Sequence, residues 1–233
     1  MKNGWLIGFF IFLGMSVQAQ RASTDSLSSV IMLKVTPLAL FDLDNTVQVG
    51  IELPLPNPAW TFQQEMGYGH SAFNLWYSER LENPNRETWR FRSQLRYYFR
   101  KRNQQSPYLA AEFLFKKNSR EKLESIGMDC TGEFFNRQCA YFQNRTTHLG
   151  RFVNAFHLKW GWQFYLSERW SMDMYAGAGL RGLKVKYLSP NVDDQPFRDN
   201  NFFDVRTDEP GAYGPFPSLS MGLHLSYSLS KNK

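Results

Sequence analysis

Thr88-Trp89-Arg90-Phe91-Arg92-Ser93-Gln94-Leu95-Arg96-Tyr97-Tyr98-Phe99 places large apolar groups at nearly every odd position and Arg or Gln at most even ones. Alternation with period two marks a strand with one apolar and one wet face. The same alternation recurs in candidate strands at roughly 30–41, 46–54, 60–72, 87–99, 107–117, 149–166, 170–187 and 216–230. The connections after the second, fourth and sixth candidates are short, and those after the third, fifth and seventh are longer. Short turns at one end and long loops at the other describe a barrel embedded in an outer membrane. The connection at 42–45 is short on the side where the others are long. The expected fold is therefore all-β, an eight-stranded antiparallel up-and-down transmembrane β-barrel over residues 30–233.

The N-terminus opens with Lys2, an apolar run from Trp5 to Leu13 and the small-residue exit Val17-Gln18-Ala19. This fits a signal peptide over residues 1–19, cleaved before Gln20, with a short polar tail at 20–29. The run is too short to span a bilayer as a helix, and no Cys stands at the cleavage site to take a lipid. Mean hydropathy of −0.47 argues against a bundle of membrane helices, while 16% aromatic residues is high for a soluble domain. A barrel reconciles the two, because only alternate residues need be apolar. The expected address is the outer membrane of a diderm bacterium after Sec-type export. The net charge of +6 is spread through the strands rather than clustered. Outer-membrane lipid and the phosphates of lipopolysaccharide are thus the expected counterparts, nucleic acid is not, and the chain is read as a monomer.

Parity assigns faces, since a one-residue slip would turn every side chain to the other side. The outward sets include Ile31, Leu33, Val35, Ala39 and Phe41, then Val47, Val49, Ile51 and Leu53, and on the last strand Leu219, Met221, Leu223, Leu225 and Tyr227. Pro37 breaks its set, and a bulge is expected there. The inward sets carry Lys34, Arg90, Arg92, Arg96, Lys159 and Arg181 against Glu52, Glu65, Glu112 and Asp173. A lumen this narrow is filled by side chains, so these ten are expected to pair as a network that plugs it. Inward glycines, among them Gly161, Gly177, Gly179 and Gly222, leave room for the long arginines. Six positive charges against four negative ones leave a surplus, which would favour anions if water entered; a small anion-selective pore is the alternative.

Cys130 and Cys139 lie in the longest connection, and an exported chain with two cysteines is expected to pair them. The same loop carries Phe134, Phe135, Tyr141 and Phe142, candidates for contact with a surface partner or for packing across the barrel mouth.

Signals of chemistry are few. Ala39-Leu40-Phe41-Asp42-Leu43-Asp44-Asn45-Thr46-Val47 is similar to the first signature of haloacid-dehalogenase-type phosphatases, in which the residue matching Asp42 attacks phosphorus, that matching Asp44 serves as acid and base, and Mg²⁺ binds between them. An exported Mg-dependent phosphatase built on Asp42 and Asp44 is the runner-up function. That fold needs helices between parallel strands, which the period-two pattern does not provide, and Asp193-Asp194 lacks the strand a later acidic motif requires. Asp and Asn are also preferred turn residues. His224-Leu225-Ser226 resembles the His-x-Ser pair of outer-membrane lipid A deacylases, but parity turns both polar residues inward, where they read as lumen fillers. His70, His148 and His157 have no ligand spacing, so no metal site, no cofactor and no catalytic residue are expected.

Leu33-Lys34-Val35-Thr36-Pro37-Leu38-Ala39-Leu40, Val49-Gly50-Ile51-Glu52 and Gln64-Glu65-Met66-Gly67-Tyr68-Gly69 together resemble an exported bacterial barrel family known as a domain of unknown function, DUF3575. The resemblance implies an outer-membrane β-barrel of the OmpA or OmpX type and supplies no catalytic residues. The function expected is envelope structure or surface contact through the external loops.

Overall fold

In β4 (Glu87–Tyr98) the alternation holds throughout, and it is the polar side that is buried. Thr88, Arg90, Arg92, Gln94 and Arg96 are buried, whereas Leu95 faces outward. The computed structural model describes residues 30–42, 44–83, 85–99, 105–131, 138–189 and 210–229. The expected signal peptide at 1–19, the tail at 20–29, Phe134, Phe135, Asp193 and Asp194 lie outside the described residues.

Around β4 stand β1 (Met32–Val35), β2 (Val47–Pro54), β3 (Trp60–His70), β5 (Gln105–Thr131), β6 (Gln138–Tyr165), β7 (Trp170–Tyr187) and β8 (Gly211–Ser228). Every strand pairs antiparallel with its sequence neighbours, and β1 pairs with β8, so the eight strands close into a ring with no free sheet edge at its waist. A closed ring satisfies the backbone of all its strands. The connection from β3 to β4 holds a short helix, α1 (Tyr77–Glu82). No helix among the described residues is long and apolar enough to cross a membrane, which bears on helices alone.

Two departures from the sequence reading have local causes. The first strand ends at Val35 instead of running to 41, because Pro37 starts a 3-10 turn over Pro37–Leu40. Proline lacks the N–H that a ladder needs but fits the first position of a helical turn. There is accordingly no bulge at Pro37, and Ala39 is buried rather than outward. The connection between β1 and β2 thus covers residues 36–46, which removes the short loop on the long side. The irregularity in the ladder falls between Arg181 and Leu183, where β7 shifts against β8.

The second departure is larger. Residues 118–131 and 138–148 are strand and not loop: β5 and β6 continue past Ser119 and Leu149, the levels at which β4 and β7 stop pairing with them. Residues 120–131, at about 3.4 Å each, form about 40 Å of two-stranded ribbon standing beyond the ring. Asn85 Nδ2 donates to Glu121 at 2.7 Å, and the Leu188 N–H to the carbonyl of His148 at 2.6 Å, bracing its base.

Outward aromatics gather at two levels. Near the short turns, Trp60 packs on Tyr97 at 5.0 Å, Phe99 on Trp160 at 5.1 Å and Trp170 on Tyr227 at 5.1 Å. Toward the other end, Tyr68 packs on Trp89 at 4.7 Å and Phe91 on Phe115 at 6.3 Å. From Trp60 to Tyr68 a strand rising about 3.3 Å per residue and tilted about 40° climbs roughly 20 Å.

Candidate functional site

Inward parity on all eight strands converges on a buried charged centre. Glu52 on β2 accepts from Lys34, from Thr61 Oγ1 at 2.6 Å, from Tyr98 OH at 2.8 Å and from Arg96 at 3.4 Å. Asp173 on β7 lies 2.5 Å from Arg96 Nη1, 3.2 Å from Lys34 Nζ and 2.5 Å from Tyr108 OH. Glu65 on β3 is met by Gln48 and Gln63, by Gln94 at 3.0 Å and by Arg92 at 3.8 Å. Glu112 on β5 holds Lys159 and accepts from Gln94 at 2.8 Å. Four carboxylates thus face four cations, Lys34, Arg92, Arg96 and Lys159. Burying eight charges is tolerable only with this degree of pairing and hydrogen bonding.

The two remaining cations of the expected ten are elsewhere. Arg90 leaves the centre and binds Asp42 at 2.6 Å. Arg181, on the same inward side but toward the ribbon end, is half-buried and joins none of the ion pairs among the described residues. The surplus of positive charge read from the sequence is therefore absent from the centre.

Two of the inward glycines, Gly161 and Gly222, serve a different neighbour than expected. A methyl group on Gly161 would come within 2.3 Å of the Tyr108 ring, and one on Gly222 within 2.4 Å of the Tyr175 hydroxyl. The space goes to tyrosines, and the cations stack on those rings: Arg96 lies 4.5 Å from the Tyr108 centroid and Lys159 4.0 Å from that of Tyr175. Cation–π contact between buried groups adds to the ion pairs.

His224 and Ser226 are both fully buried in the lumen, as parity required. His224 stands between two carboxylates, with Nε2 3.0 Å from Glu65 and Nδ1 3.2 Å from Asp173, and its ring stacks on Tyr175. Ser226 Oγ finds no hydrogen-bond partner among the described residues, so His224 and Ser226 are not hydrogen-bonded to each other.

Asp42 and Asp44 sit in the turn from β1 to β2, which folds in over the ring's rim. Asn45 takes φ of 22° and donates through Nδ2 to the Leu40 carbonyl at 2.8 Å, tightening that turn. Gly69 lets it pass: a Cβ there would strike the Asn45 carbonyl at 2.1 Å. Asp44 pairs with Lys116, accepts from Asn118 Nδ2 at 2.9 Å and lies 3.8 Å from Arg86. Burial pushes the Asp44 carboxyl up, but the Lys116 ammonium outweighs it and holds the group down at about 2. For Asp42 burial likewise opposes, and Arg90 with Lys116 prevails, so its carboxyl also lies below the ordinary range. Both acids are committed to cations of β4 and β5. Neither stands at the end of a parallel strand between helices, and no group of ligating side chains among the described residues is arranged to hold a metal ion.

In the ribbon, Cys130 lies opposite Cys139 in the ladder, though their side chains, with that of Phe142, lie outside those described. Tyr141 is exposed. Period-two reading missed the extension because Arg120-Glu121-Lys122-Leu123-Glu124-Ser125 carries polar groups on both faces, leaving no alternation to follow.

The chain matches the family described as protein of unknown function (DUF3575) over residues 7–202. No curated protein and no solved structure matches the chain.

Proposed function

The chain belongs to the DUF3575 family, whose description assigns no activity, and from the geometry we propose that it is an outer-membrane β-barrel with a plugged lumen that carries a two-stranded ribbon beyond the cell surface. One observation supports this above the rest: the molecule is inverted, with paired charges inside the ring and large apolar groups outside it. Leu219 and Met221 are 79% and 75% exposed, while Arg96, Glu112 and Asp173 are fully buried. Water on the outside would make that surface costly at about 25 cal/mol per Å², whereas lipid accepts it. The two aromatic levels match the girdles such barrels place at the membrane interfaces. Short turns then face the periplasm, and the ribbon and the long connections face out, toward lipopolysaccharide and any surface partner. The cysteines close the ribbon, since directly opposed Cα atoms are about 4.5–5.5 Å apart, within the reach of a disulfide.

Fractionation of cells expressing the full chain tests the reading. The mature protein is expected in the outer-membrane fraction, soluble only in detergent, with a gel mobility that changes on boiling. Recovery as a detergent-free soluble protein whose mobility ignores heat would remove the membrane assignment.

A further inference from the structure

Two inward residues that the charged centre does not explain, Ser218 and His157, line up across three strands with Glu112, which the centre shares with Lys159 and Gln94. Ser218 on β8 places Oγ 3.0 Å from His157 Nε2 on β6. The other ring nitrogen, Nδ1, lies 3.3 Å from Glu112 Oε1 on β5. That contact is poorly aligned as a hydrogen bond, and neither atom has another hydrogen-bond partner among the described residues. Loose alignment of this kind is common in unliganded sites and tightens with substrate.

The register explains how residues so far apart in sequence meet. Gly179 on β7 stands between them, opposite His157 on one side and Ser218 on the other. A Cβ at Gly179 would approach the Phe156 carbonyl to 1.8 Å, so glycine is what allows β7 to lie this close to the backbone of β6 at His157. His157 and Glu112 are buried, while Ser218 keeps partial exposure. Arg181 is one inward position along β7 from Gly179 and opposite Phe216, which makes it the diagonal neighbour of Ser218. Diagonal neighbours on one face lie about 7–8 Å apart, within reach of a long side chain.

We propose that Ser218, His157 and Glu112 form a nucleophile, base and orienting acid that hydrolyse carboxylic esters entering from the ribbon end of the ring, with Arg181 opposite the developing oxyanion. A serine, a histidine within hydrogen-bond reach and an acid behind it are recognised by geometry and not by order in the chain. With the proton on Nδ1 held toward Glu112, Nε2 takes the proton of the Ser218 hydroxyl as Oγ bonds to the ester carbon. Collapse of the tetrahedral species breaks the bond to the alkoxy group, which leaves as the alcohol with the proton from Nε2. Water, deprotonated by Nε2, then attacks the acyl-serine, releasing the carboxylic acid and restoring the hydroxyl. Ala155 and Phe216, the ladder partners of Arg181, are buried apolar residues, so short uncharged acyl groups are the substrates proposed.

The inference does not rest on membrane insertion, since the three residues lie within the ring in either setting. Full-length protein, folded as judged by heat-modifiable mobility and β-rich circular dichroism, is treated with a fluorophosphonate probe and, separately, with p-nitrophenyl acetate and butyrate. The probe is expected to attach to the peptide containing Ser218, mapped by mass spectrometry in the unaltered chain, and boiling beforehand should abolish it. Ser218→Ala should remove labelling and turnover, His157→Gln should slow turnover by roughly 10²–10⁴-fold, and Ser220→Ala should change neither. Folded protein that the probe leaves unlabelled, or a label that persists in Ser218→Ala, overturns the proposal. Labelling at Ser218 in a protein that proves soluble keeps this inference while discarding the membrane reading.

Discussion

Glu52 accepts from four side chains at once, and two of them, Lys34 and Arg96, are cations with essentially no exposure of their own. Truncation to Ala leaves those charges to share Asp173, so Glu52→Ala is expected to destabilise by about 3–5 kcal/mol, as removal of one partner from a buried pair does. The urea midpoint of heat-modifiable protein in detergent measures this, and a loss under about 1 kcal/mol would mean that water reaches the site and screens it. Gly161→Ala is the matching test of the tyrosine niche. The added methyl would displace Tyr108, which donates to Asp173 and carries Arg96 on its face, so a single carbon should cost more than Tyr108→Phe, which keeps the ring in place. Parity alone disclosed which side chains enter the lumen, because period two fixes direction. It did not disclose pairings: that Arg90 turns to Asp42, or that His157 spans a glycine to Ser218, follows from register across strands far apart in sequence.

Among the elements, the turn from β1 to β2 acts as a strap across the rim. Its Asp42 and Asp44 hold β4 and β5, and Trp76 Nε1 of the β3–β4 connection donates to the Phe41 carbonyl at 3.2 Å. The folded carboxyl of Asp44 titrates at about 2, below its ordinary value of 3.8. A group depressed on folding contributes its stability above the unfolded value and loses it as pH falls through the folded one. The strap should therefore hold fully above about pH 4 and weaken between about pH 4 and 2, by something on the order of 1–2 kcal/mol. Other acids titrate in that window, so the comparison is with Asp44→Asn, which should be less stable at pH 6 and converge on the parent at pH 2. Parallel stability curves would show that Lys116 does not anchor the strap. The phosphatase-like spelling of this segment arises because a tight turn and a metal-binding strand end both favour Asp two residues apart. The strap itself was hidden by reading Pro37 as a flaw in a strand when it begins a turn.

At the scale of the whole molecule, the two surfaces make opposite demands that one substitution and one recording separate. Met221 faces outward midway along β8, so Met221→Arg should cost about 2–4 kcal/mol if that face meets the bilayer midplane; tolerance equal to that of an exposed ribbon position such as Tyr141→Arg would place the face in water. The lumen is the harder case, because the sequence offered six inward cations against four acids, which left an anion-selective pore as the alternative to a plug. The structure redistributes them: Arg90 to the rim, Arg181 toward the ribbon end, and four cations against four carboxylates at the centre, bridged by Gln94 between Glu65 and Glu112 and by His224 between Glu65 and Asp173. An ion crossing this region would have to break contacts that are buried on every side, and it would meet no net charge to select it. Planar-bilayer recordings of the pure protein are therefore expected to be silent at neutral pH. Removing a bulky member without leaving a charge unpaired, as in Tyr108→Ala, should at most allow brief openings without anion preference. Steady anion-selective conductance from the unaltered chain would mean that the centre is hydrated and its pairs exchange with water, and the same recording would then assign the molecule to transport.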